Sequence, residues 1–410
     1  MSGAGGRDPA ATDGGALASL SVETRLLLAA APLDPDPDRL EALLAEDVDW
    51  DRVRALLESE RAALPFWRRV APLAERMDPG VRSRLERTAA ATELRLDLLH
   101  RRLVESLDAL EEAGIDAVVL KGAALAHTLY PDRGERPMAD LDLLVARERA
   151  GEARRSLAGA GWRADESRYP AHRYRRHHHL PPLRDTSGSG ASLEIHTGLL
   201  LPGHPFGLDG SALLERARTV EAAGRTMRVP GPVDHLVHLC LHFGWADVLG
   251  SGAWRTFRDV DVLAGAPGFS WEAFLGRARE VGAGPYAWWT LRLRESLVGR
   301  PAPAAVAGAL RPPLPPFLLR RLERHLVSGL FPTEDGCPSI GLERALWLLA
   351  TRPRGERPPG IRPWDREEEF MDGRAADGPE AASPRVGARL RRHVGQWRRW
   401  GGYLSRVLAG

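Results

Sequence analysis

The stretch VVLKGAALAHTLYPDRGERPMADLDLLV, residues 118–145, decides the reading of this chain. Just before it the pattern changes at Gly114. Residues 115–120 form a short, mostly apolar run rich in β-branched side chains, which predicts a buried strand. Lys121-Gly122 follows, and residues 122–129 are expected to be helical, ending near Tyr130-Pro131. A second strand is expected over residues 141–146. Asp140 and Asp142 stand two apart at its start, so alternation puts both carboxylates on one face while Leu141 and Leu143 turn into the core.

Lys121 is the only lysine in the chain, and every other cationic side chain of that kind is arginine. A GC-rich coding background explains the arginine bias. A lysine kept against it invites a chemical reason, because an ammonium is a compact point charge and a guanidinium a broad planar fork. An exposed lysine at a strand end is the competing reading.

Two close carboxylates repel each other and are costly to bury unless cations share the site. Magnesium takes oxygen ligands, with one or two carboxylates completed by phosphate and water. A third carboxylate is expected from Ser192-Leu193-Glu194-Ile195-His196, read as a strand in which Glu194 and His196 share a face. Three such acids suit a pair of ions clamping the two oxygens of a phosphoryl displacement. Gly122 at a helix N-terminus lets phosphate oxygens approach the backbone, and Lys121 or Arg136 offers neutralising charge. Solvated strand ends and a loop arginine balancing Asp140 are the plainer readings of Asp-x-Asp, Glu194 and Arg136.

Outward from this core, residues 1–18 read as a disordered tail and residues 19–112 as a helical region with no evident chemistry. Residues 113–205 form the central α/β unit. Within it a helix is expected over 147–160, an extended strand or hairpin over 169–183, and a turn at Ser187-Gly188-Ser189-Gly190. Residues 206–300 are expected to be a helical region on the substrate side. Residues 301–384 are proline-rich and irregular with short helices, and 385–410 a basic amphipathic helix. The fold class is α+β: a small mixed sheet flanked by N-terminal and C-terminal helical regions.

With 410 residues, a net charge of +2 and 43% apolar content, the composition fits a globular protein of two or three domains at about 150 residues each. No strong attraction to polyanions follows from the total charge. Cys240 and Cys337 make no disulfide framework. Neither a secretory leader nor a membrane-length apolar run is evident, so a cytoplasmic location is expected.

The run of residues 118–145, followed by LEIH at 193–196, resembles bacterial nucleotidyltransferase-family proteins of the polymerase-β-like superfamily, in the form whose first motif is Lys-Gly. The resemblance covers mainly residues 109–198. A looser likeness runs to about 299 and takes in His238, His242 and Arg258-Asp259. It implies transfer of a nucleoside monophosphate from an NTP, with ATP the expected nucleotide, to a hydroxyl or similar acceptor. The acceptor class stays open between a small molecule, a peptide, a protein and an RNA. The resemblance assigns the metal-binding and catalytic roles to Asp140, Asp142 and Glu194, with Mg2+ or alternatively Mn2+, and the phosphate-loop glycine to Gly122. Where the commoner pattern has Gly-Ser, Ala123 follows Gly122, so no serine hydroxyl is offered to the triphosphate.

His196, His238, His242 and Asp259 are candidates for substrate contact. His238 and His242 are four apart, on one helix face, and a pocket or core role is expected for them rather than zinc. His177, His178 and His179 are set aside as a joint metal site because neighbours on a strand point to opposite faces. The terminal helix, with Trp397 and Trp400 among arginines, is expected to pack on the protein rather than to meet nucleic acid or an anionic membrane. Two further function classes are kept in view: a non-catalytic nucleotide-sensing scaffold, and a nucleic-acid-binding protein led by that helix.

Overall fold

The computed structural model describes residues 15–165, 174, 177–353, 355, 360–365 and 400–408. A seven-stranded mixed sheet lies at its centre, in the order β3-β4-β5-β2-β1-β7-β6. The strands are β1 (Ala117–Val119), β2 (Asp140–Val145), β3 (Trp162–Ala164), β4 (Leu183–Asp185), β5 (Ser192–His196), β6 (Arg218–Ala222) and β7 (Arg225–Val229). β1 and β2 pair antiparallel, while β2 and β5 pair parallel with Asp142 directly beside Glu194.

Alternation divides the sheet between two cores. Val119, Leu141, Leu143, Val145, Leu193 and Ile195 enter one cluster together with leucines of the long helix Pro79–Glu112 and the helix Ala150–Gly159. Val118 and Leu144 point the other way, into the larger cluster built by the N-terminal helices and the helices after residue 231. Asp140, Asp142 and Glu194 share that second side, where the packing opens into a cavity.

The helix Pro79–Glu112 begins at Asp78, whose carboxylate accepts from the N–H groups of Gly80 and Val81, with proline at its first position. It ends ahead of Gly114, which turns the chain into β1 at a φ of +64°.

Several elements depart from the sequence reading. Residues 15–18 of the expected tail form a helical turn, Gly15–Ala18. Residues 206–300, read as helical, contain the β6–β7 hairpin, and β7 joins the sheet parallel to β1. Its alternation, Arg218-Thr219-Val220-Glu221-Ala222, is weak because a strand at a sheet edge needs few apolar residues. Trp162–Ala164 adds the strand at the opposite edge. Residues 169–173, 175 and 176 of the strand or hairpin expected over 169–183 lie outside the described residues, as does the terminal helix up to residue 399, with Trp397. Residues 400–408 are helical and pack on the protein, where the buried Tyr403 hydroxyl meets His325 Nδ1 at 2.9 Å.

Candidate active site

The strand β1 passes into the helix Lys121–Thr128 through an unusual residue: Lys121 has a φ of +48°. A non-glycine residue in the left-handed region carries roughly 1–3 kcal/mol of backbone strain, of the kind that collects at functional sites. The conformation turns the Lys121 amine back over the sheet, where Nζ donates to Asp142 Oδ1 at 2.9 Å. His196 Nε2 lies 2.8 Å from the same oxygen and 3.3 Å from Glu194 Oε2. Asp140 stands one step nearer solvent, 38% exposed at its side chain, with Arg61 at 3.8 Å.

The parallel register explains the convergence. Asp142 and Glu194 are neighbours across β2 and β5, and His196 sits one pleat deeper on the same face. Ligand atoms of Asp142, Glu194 and His196 all lie within 4.8 Å of one another, a spacing that fits a metal ion. Burial alone would discharge Asp142, but Lys121 and His196 outweigh it and hold the carboxyl well below its ordinary range. Burial also opposes the charge on Glu194, yet the hydrogen bond with His196 helps to bring it down to about 2. Asp140 moves the other way, raised by burial and by the charge of Asp142. Lys121 loses solvent as well, but the surrounding carboxylates keep its ammonium form above the ordinary range.

Opposite the acids, Arg136 is held by Asp259, through Nε at 2.7 Å and Nη2 at 2.8 Å. Tyr130 donates to the same carboxylate at 2.8 Å. Gly122 lies directly beneath that guanidinium: a Cβ there would stand 3.0 Å from Arg136 Nη1. The lack of a side chain at Gly122 thus makes room for Arg136 over the first turn of the helix. Sequence reasoning reserved that space for phosphate alone.

A cavity of about 460 Å³ joins these parts. Lys121, Gly122, Arg136, Asp140, Asp142, Glu194, His238, His242 and Asp259 all line it, so nine of the ten residues singled out in the sequence meet there. The tenth, His196, is fully buried beneath the acids. His238 and His242 come from the helix Pro232–Leu241 and the π-helical turn His242–Ala246 that continues it. Burial, then the neighbouring His242, keeps His238 well below the ordinary imidazole range, and its Nε2 has no hydrogen-bond partner. His242 Nδ1 is 3.0 Å from Asp247.

Sequence reasoning missed other parts of the wall. Arg61 comes from the N-terminal helical region, which was read as having no evident chemistry. The same region anchors the site from behind, since Arg69 and Arg258 both bond Glu135. His235 and Arg255 also face the cavity. Nothing local marks Arg61 among so many arginines. His235 could have been found as the first of three histidines on one helical stretch, 235, 238 and 242. The tract 177–179 departs from its reading too: the chain bends at 177 and 178 instead of running extended, and the three imidazoles converge.

A family model described as an uncharacterised nucleotidyltransferase matches residues 46–299, which is more than half of the 410-residue chain. The chain belongs to this family. The matched span runs from the N-terminal helices that carry Arg61 to the end of the helix Gly284–Val298, and so takes in every wall of the cavity. Membership supports a nucleotidyl-transfer role and an NTP as substrate. No curated protein and no solved structure matches the chain. Among the described residues no helix is long and apolar enough to cross a membrane.

Proposed function

We propose that the protein is a magnesium-dependent nucleotidyltransferase that moves a nucleoside monophosphate from an NTP, ATP being the expected one, to an acceptor of unidentified class. The observation that carries this reading is the meeting of Asp142 and Glu194 across a parallel strand pair, with Asp140 beside them, in a cavity whose far wall is cationic. The acids offer the oxygen-rich donor set that magnesium prefers. Asp140, Asp142 and Glu194 would hold the ion. When bound, magnesium supplies charge neutralisation for the triphosphate and for the charge that builds up during displacement.

The remaining work falls to the chain itself. Arg136 uses Nε and Nη2 on Asp259 and Nη1 on the Pro137 carbonyl, and each terminal nitrogen keeps a second hydrogen. Those hydrogens, above the N-terminal turn at Gly122, suit phosphate oxygens. Lys121 fixes the position of Asp142 and adds positive charge beside it. His196 fixes both Asp142 and Glu194 from below. The acceptor oxygen bonds to the α-phosphorus as the bond to the bridging oxygen breaks and pyrophosphate leaves, and the acceptor hydroxyl gives up its proton to solvent. Glu194, ionised down to about pH 2, is a weak base and acts by orienting the acceptor hydroxyl. His238 Nε2, without a hydrogen-bond partner on the opposite wall, is available to the acceptor or the base.

Two observations favour a second reading, nucleotide binding without transfer. Asp142 Oδ1 is already engaged by Lys121 and His196, and Arg136 fills the space over Gly122. Incubation with each α-labelled NTP, magnesium and pools of small-molecule, peptide and RNA acceptors separates the two. Label transfer that requires magnesium and is lost in Asp142→Asn supports the transferase. Nucleotide binding without transfer to any pool, with wild type and Asp142→Asn alike, supports the sensing reading.

A further inference from the structure

We propose that His177, His178 and His179 form a binding site for a divalent transition-metal ion of the zinc class, next to the acidic cluster and reaching it through the Glu194 carboxylate. The chain bends at residues 177 and 178, and only His179 enters the sheet, in an antiparallel bridge with His196. The bend brings one nitrogen from each ring within 4.8 Å of the others. The ring centroids are 4.3 Å apart for His177 and His178, 4.1 Å for His177 and His179, and 4.9 Å for His178 and His179.

The tautomer of His179 is set by its surroundings. Its Nδ1 lies 2.6 Å from the Leu180 carbonyl oxygen, which can only accept, so the proton is on Nδ1 and Nε2 presents a lone pair. A backbone carbonyl on the far nitrogen is the usual way a metal-binding imidazole is oriented. His179 Nε2 faces Glu194 Oε2 at 3.7 Å. That is long for a hydrogen bond and close to the separation of roughly 3.3 Å between two ligands of a tetrahedral zinc ion. His178 Nδ1 is buried and has no hydrogen-bond partner. An orphaned buried nitrogen is unfavourable, and an ion at this point gives it one.

Imidazole nitrogens with one carboxylate are the donors of zinc, cobalt and manganese, whereas magnesium takes oxygen. The tract lines a second cavity of about 780 Å³ that shares His178, His179 and Glu194 with the first, so an ion here is reached from that cavity. Glu194 lines both cavities and is common to the two clusters. The inference stands on the geometry of the tract and holds whether or not the chain transfers nucleotides.

The test uses the full chain prepared without a polyhistidine tag, stripped with a chelator and titrated with Co2+ alone. The expected result is visible absorption of a four-coordinate cobalt ion, saturating at one equivalent and persisting in excess Mg2+. His178→Gln and His179→Gln should each weaken Co2+ binding at least tenfold, while Asp142→Asn leaves it within twofold. In the wild-type chain, imidazole NMR resonances followed through a Zn2+ titration assign the ligands without any substitution. Absence of cobalt absorption overturns the proposal. So does binding that survives both histidine changes but is lost in Asp142→Asn, which would place the ion in the acidic cluster.

Discussion

Asp142 and Asp259 line the same cavity and are both buried, yet they are held in different ways. Asp259 is complete: Arg136 grips both its oxygens and Tyr130 donates to one of them. Its charge is matched by a single guanidinium in fork geometry. Asp142 sits in a group of three carboxylates facing Lys121, with His196 beneath and Arg61 at the rim. Three carboxylates are crowded there, and the charge of Asp142 disfavours that of Asp140. An acid matched in a fork is a strut, and a crowd of buried acids invites a cation. That difference, more than burial or position, separates the proposed chemistry from its scaffold.

The comparison breaks most visibly at Asp142. Asp142→Asn keeps shape and hydrogen-bonding capacity but removes one charge, and label transfer should fall by roughly 10⁴-fold, about 5 kcal/mol of barrier. Thermal unfolding should move little. Asp259→Ala should do the opposite as its primary effect. It leaves Arg136 buried without its counter-charge, and stability measured by denaturant titration should fall by about 3–5 kcal/mol. If Asp259→Ala proved as stable as wild type, the strut assignment would fail.

Lys121→Arg tests the hinge between the two. The planar fork fits poorly where a point charge meets one carboxylate oxygen from a left-handed residue, and NTP affinity should drop about tenfold, roughly 1.4 kcal/mol, with the fold kept. Unchanged affinity in a binding titration would remove Lys121 from the site.

A smaller effect should appear far from either acid. Burial holds His325 down to about 4, and burial with the nearby His100 and Arg133 does the same for His127. Both folded values lie below the unfolded one near 6.5. The folded state therefore favours the neutral rings, and their contribution is full above about pH 6.5 and declines as the pH falls toward 4. Each should account for about 1 kcal/mol of lost stability at pH 5.5. His325→Gln should flatten that acid limb in pH-dependent unfolding. An unaltered limb would mean that acid lability arises at the cavity instead.

Much of this arrangement was legible before any coordinates. Alternation in Asp140-Leu141-Asp142-Leu143 and in Leu193-Glu194-Ile195-His196 assigns both the core face and the acidic face, because a strand's period of two leaves no other choice. What escaped was information held between distant segments. The β6–β7 hairpin has too few apolar residues to announce a strand, and its place is set by pairing with β1. The role of Gly122 depends on Arg136, which depends on Asp259, and no local window contains all three. The sequence predicts an extended backbone for the histidine tract, whereas the chain bends at 177 and 178.

The Arg136–Asp259 fork joins residues 123 positions apart, and the Trp254 indole donates to the Leu27 carbonyl across 227. Contacts of such sequence separation form slowly, since a long loop must close before any contact rewards it. During synthesis the strands carrying the acids leave the ribosome well before Asp259 is made. Until then Arg136 lacks its fork, and the half of the chain that carries the acids stays without its far wall.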